Sequence, residues 1–133
     1  MQRFEDWPER LVEYIAARNE QRFTWGKGKQ DCCSFAAGGV MAQTGVDLMA
    51  DISDYATADE ADAILATTSL EELTDARLPR REAPSFAQRG DVGLALLDGE
   101  PTLMLVEGAT IVGPGRRRLE RLPRVALTIA WAV

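Results

Sequence analysis

The run CCSFAAGGVMAQTG, residues 32 to 45, predicts a helix with almost no polar face. Such a helix is typical of the centre of a fold, where other elements surround it. Gly38 and Gly39 each weaken a helix by about 1 kcal/mol relative to alanine, so we expect another element to pack closely against them. The predicted N-cap is Asp31 or Gln30. We expect this helix to be mostly buried against the strand that contains residues 91 to 97.

Helical patterns come before strand patterns along the chain. The segment DWPERLVEYIAARN, residues 6 to 19, predicts a first helix capped by Asp6, with several apolar side chains on one face. Residues 57 to 68 and 69 to 77 predict two short helices, capped at Thr57 or Asp59 and at Ser69. A proline-rich loop follows over residues 78 to 91.

The C-terminal part of the chain is predicted to form strands. The four strand patterns cover residues 91 to 98, 101 to 108, 109 to 115 and 124 to 133, with a tight turn at Glu107-Gly108. Helices followed by neighbouring strands predict an α+β fold, in which N-terminal helices pack on a C-terminal antiparallel sheet. The length is that of one ordinary domain, so residues 1 to 133 are predicted to form a single domain.

The charge balance argues against nucleic acid as a partner. The chain has 15 basic and 21 acidic residues and a net charge of −6. Its basic residues nevertheless crowd one C-terminal segment, which contains Arg116, Arg117, Arg118, Arg121 and Arg124. Two interpretations are open for this segment: a solvated turn and strand edge, or a surface that docks on an acidic partner.

No part of the sequence predicts insertion into a membrane. No apolar run approaches the roughly 20 residues that a membrane span needs. The first residues, MQRFEDWPER, have no apolar core of the kind that signal peptides contain. We therefore expect no membrane span and no export signal.

The segment WGKGKQDCCSF, residues 25 to 35, resembles the active-site entrance of the NlpC-type cell-wall peptidases, small papain-like enzymes that cut peptidoglycan stem peptides. Trp25-Gly26 matches the first part of the family's motif, and Asp31-Cys32 matches its aspartate–cysteine pair. The segment RGDVGLALLD, residues 89 to 98, resembles the family's Pro-Gly-Asp-Leu strand. The resemblance implies a papain-like (NlpC-like) domain with Cys32 at the position of the nucleophile.

The histidine that this family uses as a base is missing, because the chain contains no histidine. Counting back from Gly108 places Thr102 at the family's histidine position, and no suitable third polar residue lies near residues 112 to 115. The resemblance therefore implies that the nucleophile is kept and the base is lost. General acid–base catalysis contributes about 10²–10⁴ in rate. Asp91 and Glu107 are the carboxyl groups that could replace the base.

The pattern is even more similar to a histidine-poor branch of this fold that occurs in the tail gene modules of phages and prophages. This similarity implies a non-catalytic structural or assembly component of a phage tail, in its tip or hub region. Its partners would be other tail proteins, and it would lie in the host cytoplasm before it joins the virion tail. The alternative is a cysteine-dependent peptidoglycan hydrolase with an altered catalytic set. A third hypothesis is a generic cytoplasmic binding module.

The adjacent cysteines also have explanations that do not involve this family. Cysteine packs well as a small apolar residue at a crowded helix start. A helix N-terminus, helped by Lys27 and Lys29, could instead lower the pKa of the Cys32 thiol. Two neighbouring cysteines alone are a poor zinc set, so no metal or other cofactor is predicted, and a metal site shared with another protein stays open. Phe23 and Trp25 are interpreted as core residues.

Overall fold

The computed structural model describes residues 1–133 and confirms the α+β arrangement, with helices first and an antiparallel sheet after them. The helices are α1 (Trp7–Arg18), α2 (Cys32–Thr44), α3 (Ala58–Ile64) and α4 (Leu70–Asp75). The strands are β1 (Val92–Leu97), β2 (Glu100–Val106), β3 (Thr110–Pro114), β4 (Leu119–Pro123) and β5 (Ile129–Trp131). None of the helices has both the length and the apolar character that crossing a bilayer requires.

The sheet has five strands in the order β4-β3-β2-β1-β5, and every neighbouring pair is antiparallel. The prediction of four strands was therefore wrong in two places. Strand β4 lies inside the arginine-rich segment, and the strand predicted over residues 124 to 133 is reduced to β5. Between them, the chain forms a 3-10 turn at Arg124–Ala126 and then crosses the sheet.

Residues 124 to 128 form this crossing segment, which connects strands at opposite edges of the sheet. The backbone N–H of Thr128 donates to the carbonyl oxygen of Leu94, at 2.8 Å. Leu127 lies directly on Gly93, where an added Cβ would stand 2.2 Å from its Cδ2 atom. A residue without a side chain at position 93 therefore allows the segment to lie flat on β1.

Helix α2 is close-packed on both of its glycines, as expected from the sequence. A Cβ at Gly38 would lie 2.2 Å from the hydroxyl oxygen of Tyr14 on α1. A Cβ at Gly39 would lie 2.3 Å from Cδ1 of Leu105 on β2. The helix is mostly buried, as predicted, and Val92 of β1 lies in the same apolar cluster as Phe35 of α2, but the main partners of α2 are α1, β2 and β3. The central position of β2 and β3 beneath the helix explains the difference.

The predicted helix caps are confirmed at Asp31, Thr57 and Ser69, each of which accepts a hydrogen bond from a backbone N–H in the first turn. The predicted cap at Asp6 was wrong. Its backbone angles (φ −96°, ψ 28°) are not the extended ones of an N-cap. Its carboxylate instead forms an ion pair with Arg10, in which Oδ1 of Asp6 lies 2.7 Å from Nε of Arg10.

The sheet buries a separate apolar cluster on each face. The helix-facing cluster has 12 buried residues, among them Phe35, Leu105 and Trp131. The cluster on the other face has seven, including Met104, Val106 and Leu127. No helix covers that second face, so the crossing segment contributes the Leu127 side chain that packs there.

The contact between Gly39 and Leu105 can be tested by a double-mutant cycle. Gly39→Ala should destabilise the protein, because overpacking a core costs about 1–3 kcal/mol and exceeds the gain in helix propensity. In a Leu105→Ala background the new methyl group has room, so the same substitution should be neutral or stabilising by about 1 kcal/mol. Urea unfolding of the four proteins measures this. An equal cost of Gly39→Ala in both backgrounds would show that the contact is not the cause.

Candidate functional site

The candidate site is the start of α2, where Cys32 is the first helical residue. Asp31 precedes it and is almost completely buried, at 1% exposure. Its carboxylate accepts hydrogen bonds from the backbone N–H of Ser34 (2.8 Å), the backbone N–H of Gly26 (3.1 Å) and the hydroxyl of Tyr55 (2.8 Å). Three hydrogen bonds to Asp31 thus fix the backbone next to Cys32.

The loop before the helix is fixed by further hydrogen bonds. The hydroxyl of Ser34 donates to the carbonyl of Gly26 (3.2 Å) and accepts from the backbone N–H of Gly28 (3.0 Å). The ammonium of Lys27 donates to the carbonyl of Ile52 and lies 3.7 Å from the carboxylate of Asp54. Lys27 is therefore engaged away from the thiol that it was expected to activate.

The structure does not bring Thr102 to Cys32. Thr102 pairs across the sheet with Ala95, which belongs to the cluster on the face opposite α2. Its hydroxyl donates to the carbonyl of Glu100 on its own strand, at 2.9 Å. Because side chains alternate along a strand, Leu103 lies on the helix side, in the same apolar cluster that Cys32 packs against. Leu103, and not Thr102, is therefore the residue of this pair that lies on the same face of the sheet as Cys32.

The two carboxyl groups considered as substitutes are committed to other partners. Asp91 is fully buried and accepts from Arg81 (2.9 Å) and from the backbone N–H groups of Gln88 and Val133. Glu107 accepts from Arg121 at 3.0 Å. Both carboxylates are thus occupied by donors other than the thiol.

The two thiols are free and half-buried, and their pKa values move in opposite directions. The Cys33 thiol holds the pKa of Cys32 below its ordinary value, and the backbone of Leu103 adds to this; burial and the Asp31 carboxylate act the other way. The pKa of Cys33 is raised by Cys32, by burial and by Asp31. Cys32 therefore has more thiolate character than Cys33.

Cys33 lines a small apolar cavity between α2, α4 and the sheet. The cavity has a volume of about 50 Å³, and its walls are almost entirely apolar. Arg77 closes its rim, where the guanidinium donates to the carbonyls of Leu48 (2.8 Å) and Leu73 (2.7 Å) and pairs with Asp51. The guanidinium of Arg77 thus hydrogen-bonds to these partners, and the other residues that line the cavity with Cys33 are almost all apolar.

The five arginines fall into two groups in the structure. Arg121 pairs with Glu107 and donates to Asn19 (2.8 Å), and Arg124 donates to the carbonyl of Gly108. Arg116, Arg117 and Arg118 are exposed in the turn between β3 and β4. Arg118 lies 3.9 Å from Glu20. The first group therefore stabilises the sheet, whereas the side chains of Arg116 and Arg117 have no partner within the chain.

The interpretation of Trp25 as a core residue was wrong. Trp25 is 42% exposed, and its ring contacts Phe23 edge to face with the centroids 4.8 Å apart. The backbone N–H of Phe23 donates to the carbonyl of Gly115, at 3.1 Å. The aromatic pair therefore adjoins the arginine turn. We call Phe23, Trp25 and residues 116 to 118 together the Trp–Arg surface.

Comparison with known proteins identifies a family for this chain. The family described as "Domain of unknown function (DUF6950)" matches residues 2–133, nearly the whole chain. The chain belongs to the DUF6950 family. No curated protein matches it, and no solved structure does. The structure of this DUF6950 chain contains no group of three or more histidine, cysteine, aspartate or glutamate side chains that could hold a metal ion.

The opposite pKa shifts predict selective alkylation of the two thiols. Iodoacetamide should modify Cys32 before Cys33, because only the thiolate reacts and the pKa of Cys32 is lowered while that of Cys33 is raised. As the pH rises, modification of Cys32 should begin first. Tandem mass spectrometry of the peptide can follow both positions, with urea-unfolded protein as the control in which the preference disappears. Faster modification of Cys33 in the folded protein would contradict the assignment.

Proposed function

We propose that this DUF6950 protein is a non-catalytic papain-like domain that serves as a structural or assembly component of a phage tail, in its tip or hub region. The tail context comes from the resemblance of the Trp25-Gly26 and Asp31-Cys32 motifs. The observation that supports the non-catalytic part is the position of Thr102, at the family's histidine position, on the face of the sheet opposite α2. The protein would be present in the host cytoplasm during assembly and afterwards in the virion tail.

The surroundings of Cys32 support a scaffold better than an enzyme. A cysteine hydrolase needs a group that protonates the leaving amine, and general acid–base help contributes about 10²–10⁴ in rate. The buried Asp91 is ion-paired with Arg81, and Glu107 is ion-paired with Arg121. Asp31 has its carboxylate occupied by three donors. Asp31, Asp91 and Glu107 are therefore all occupied by other donors.

A cell-wall hydrolase with an altered catalytic set is the second candidate. It is favoured by the position of Cys32 as the first residue of α2, where the Cys33 thiol holds the pKa of Cys32 below its ordinary value. Thiolate formation supplies a nucleophile but does not supply the proton that the leaving group requires. This candidate therefore needs an acid that another molecule contributes.

The exposed arginines support a role in docking. Exposed ion pairs contribute only about 0–1 kcal/mol each, so Arg116 to Arg118 have little effect on stability. The planar guanidinium group binds carboxylates through two parallel hydrogen bonds, which suits an interface. The partner would be a larger hub or tip protein with an acidic face. Neighbouring tail genes would support this assignment, whereas a metabolic operon would contradict it.

Peptidoglycan cleavage separates the two candidates. Purified wild-type protein and Cys32→Ala should release equal, background amounts of muropeptides from cell-wall sacculi, because no base serves the thiol. A histidine-containing NlpC-type peptidase in the same assay is the positive control. Turnover by the wild type that is lost in Cys32→Ala would establish the hydrolase and end the non-catalytic proposal.

Charge reversal tests the docking role. Replacing Arg116, Arg117 and Arg118 by Glu should leave the thermal midpoint nearly unchanged, because these side chains make at most one long ion pair. Co-purification with tail particles, from a phage or prophage that encodes the protein, should be lost. Arg89→Glu is the control, since Arg89 is exposed elsewhere. Normal assembly of the triple variant would show that the arginines form only a solvated turn.

A further inference from the structure

We propose that Trp25 is the apolar anchor of the docking site, and that the Trp–Arg surface binds an acidic polypeptide segment that places an apolar side chain on the indole. This inference rests on the proposed docking role and specifies its chemistry. The two parts of the surface have different tasks. The arginines 116 to 118 bind carboxylates, and Trp25 contributes contact area.

Trp25 is less buried than the other two tryptophans and has fewer partners within the chain. Trp131 is fully buried, and its indole N–H donates to Asp75 at 2.8 Å. Trp7 is half-buried, with the guanidinium of Arg3 stacked 4.0 Å from the centre of its ring. Trp25 remains 42% exposed, and its indole N–H has no partner in the protein. Its ring and its N–H are both available to another molecule.

The surface is held rigidly before any partner arrives. Hydrogen bonds tie the loop that carries Trp25 to the turn at Gly115, to the backbone of Gln30 through Thr24 (3.2 Å) and to the carboxylate of Asp31 through Gly26 (3.1 Å). Binding would therefore order few additional groups, which reduces its entropic cost. Tryptophan and arginine are also the residues most enriched among those that dominate binding energy in protein interfaces.

The charge of the surface selects the kind of partner. Arg116 and Arg117 have no ion pair, and the nearest carboxylate to Arg118 is that of Glu20, 3.9 Å away. Single-stranded nucleic acid also binds surfaces that combine aromatic and basic residues. One turn with three arginines is, however, too short to follow a phosphate backbone over several nucleotides. A short acidic polypeptide segment fits these constraints better.

Peptide binding to matched variants tests the inference. The probe is a fluorescein-labelled glutamate-rich peptide with one central leucine, and fluorescence anisotropy measures its affinity. Trp25→Ala and the double variant of Arg116→Ala and Arg117→Ala should each weaken binding by about tenfold or more. Phe86→Ala removes an aromatic residue that is 55% exposed at a different place, so it should leave the affinity unchanged. Arg89→Glu should do the same.

The chemistry of the probe is tested by three further ligands. A peptide with glutamine in place of glutamate should bind the wild-type protein weakly. A peptide with glycine in place of leucine should bind the wild-type protein only as tightly as the original peptide binds Trp25→Ala. Tighter binding of oligothymidine than of the acidic peptide would overturn the inference in favour of nucleic acid. Equal effects of Trp25→Ala and Phe86→Ala would overturn it as well.

Protection of Trp25 gives a second measurement that needs no substitution at that position. In a Trp7→Phe background, Trp131 is buried, so acrylamide quenching reports mainly on Trp25. The acidic peptide should reduce this quenching, and unchanged quenching at saturating peptide would contradict the inference. The tail proposal can be wrong while this inference is right, since tail particles could lack the protein while the acidic peptide still binds through Trp25. Conversely, tail binding that survives Trp25→Ala would remove the anchor and leave the tail role intact.

Discussion

The buried carboxylate of Asp31 is the interaction on which the rest of the site depends. It joins three segments that are separate in sequence: the start of α2, the loop at Gly26 and the segment that carries Tyr55. A buried charge is tolerated only when donors surround it, and each of these donors is fixed by its own part of the fold. The position of the backbone at Cys32 follows from this arrangement.

The same arrangement gives the aspartate–cysteine pair a structural role. Asp31 caps the helix and organises the loop whether or not Cys32 reacts, and Cys33 fills an apolar region behind it. The pair therefore has a complete structural explanation. A catalytic cysteine needs a base on the same face of the sheet, and here Thr102, at the position of the family's histidine, lies on the opposite face.

The sequence predicted best those features that depend on local physics. Helix caps at Asp31 and Ser69 follow from side-chain chemistry, and the glycines of α2 indicated close neighbours because they are costly in a helix. Strand β4 was missed because it is short, begins directly after the three arginines of the turn and contains the charged residues Glu120 and Arg121, so its sequence lacks a clear apolar alternation. The exposure of Trp25 also could not be predicted, since the hydrogen bond from Phe23 to Gly115 joins distant segments.

The crossing segment has a consequence for how the chain is made. Strand β5 pairs with β1. Leu127, which packs on the apolar face that contains Met104 and Val106, follows β4 in the sequence. During synthesis, four strands can therefore pair while this face is still uncovered. Exposed apolar surface on a partly completed sheet promotes aggregation. A nascent chain that has not yet released its last strand would thus be the species that most needs a chaperone.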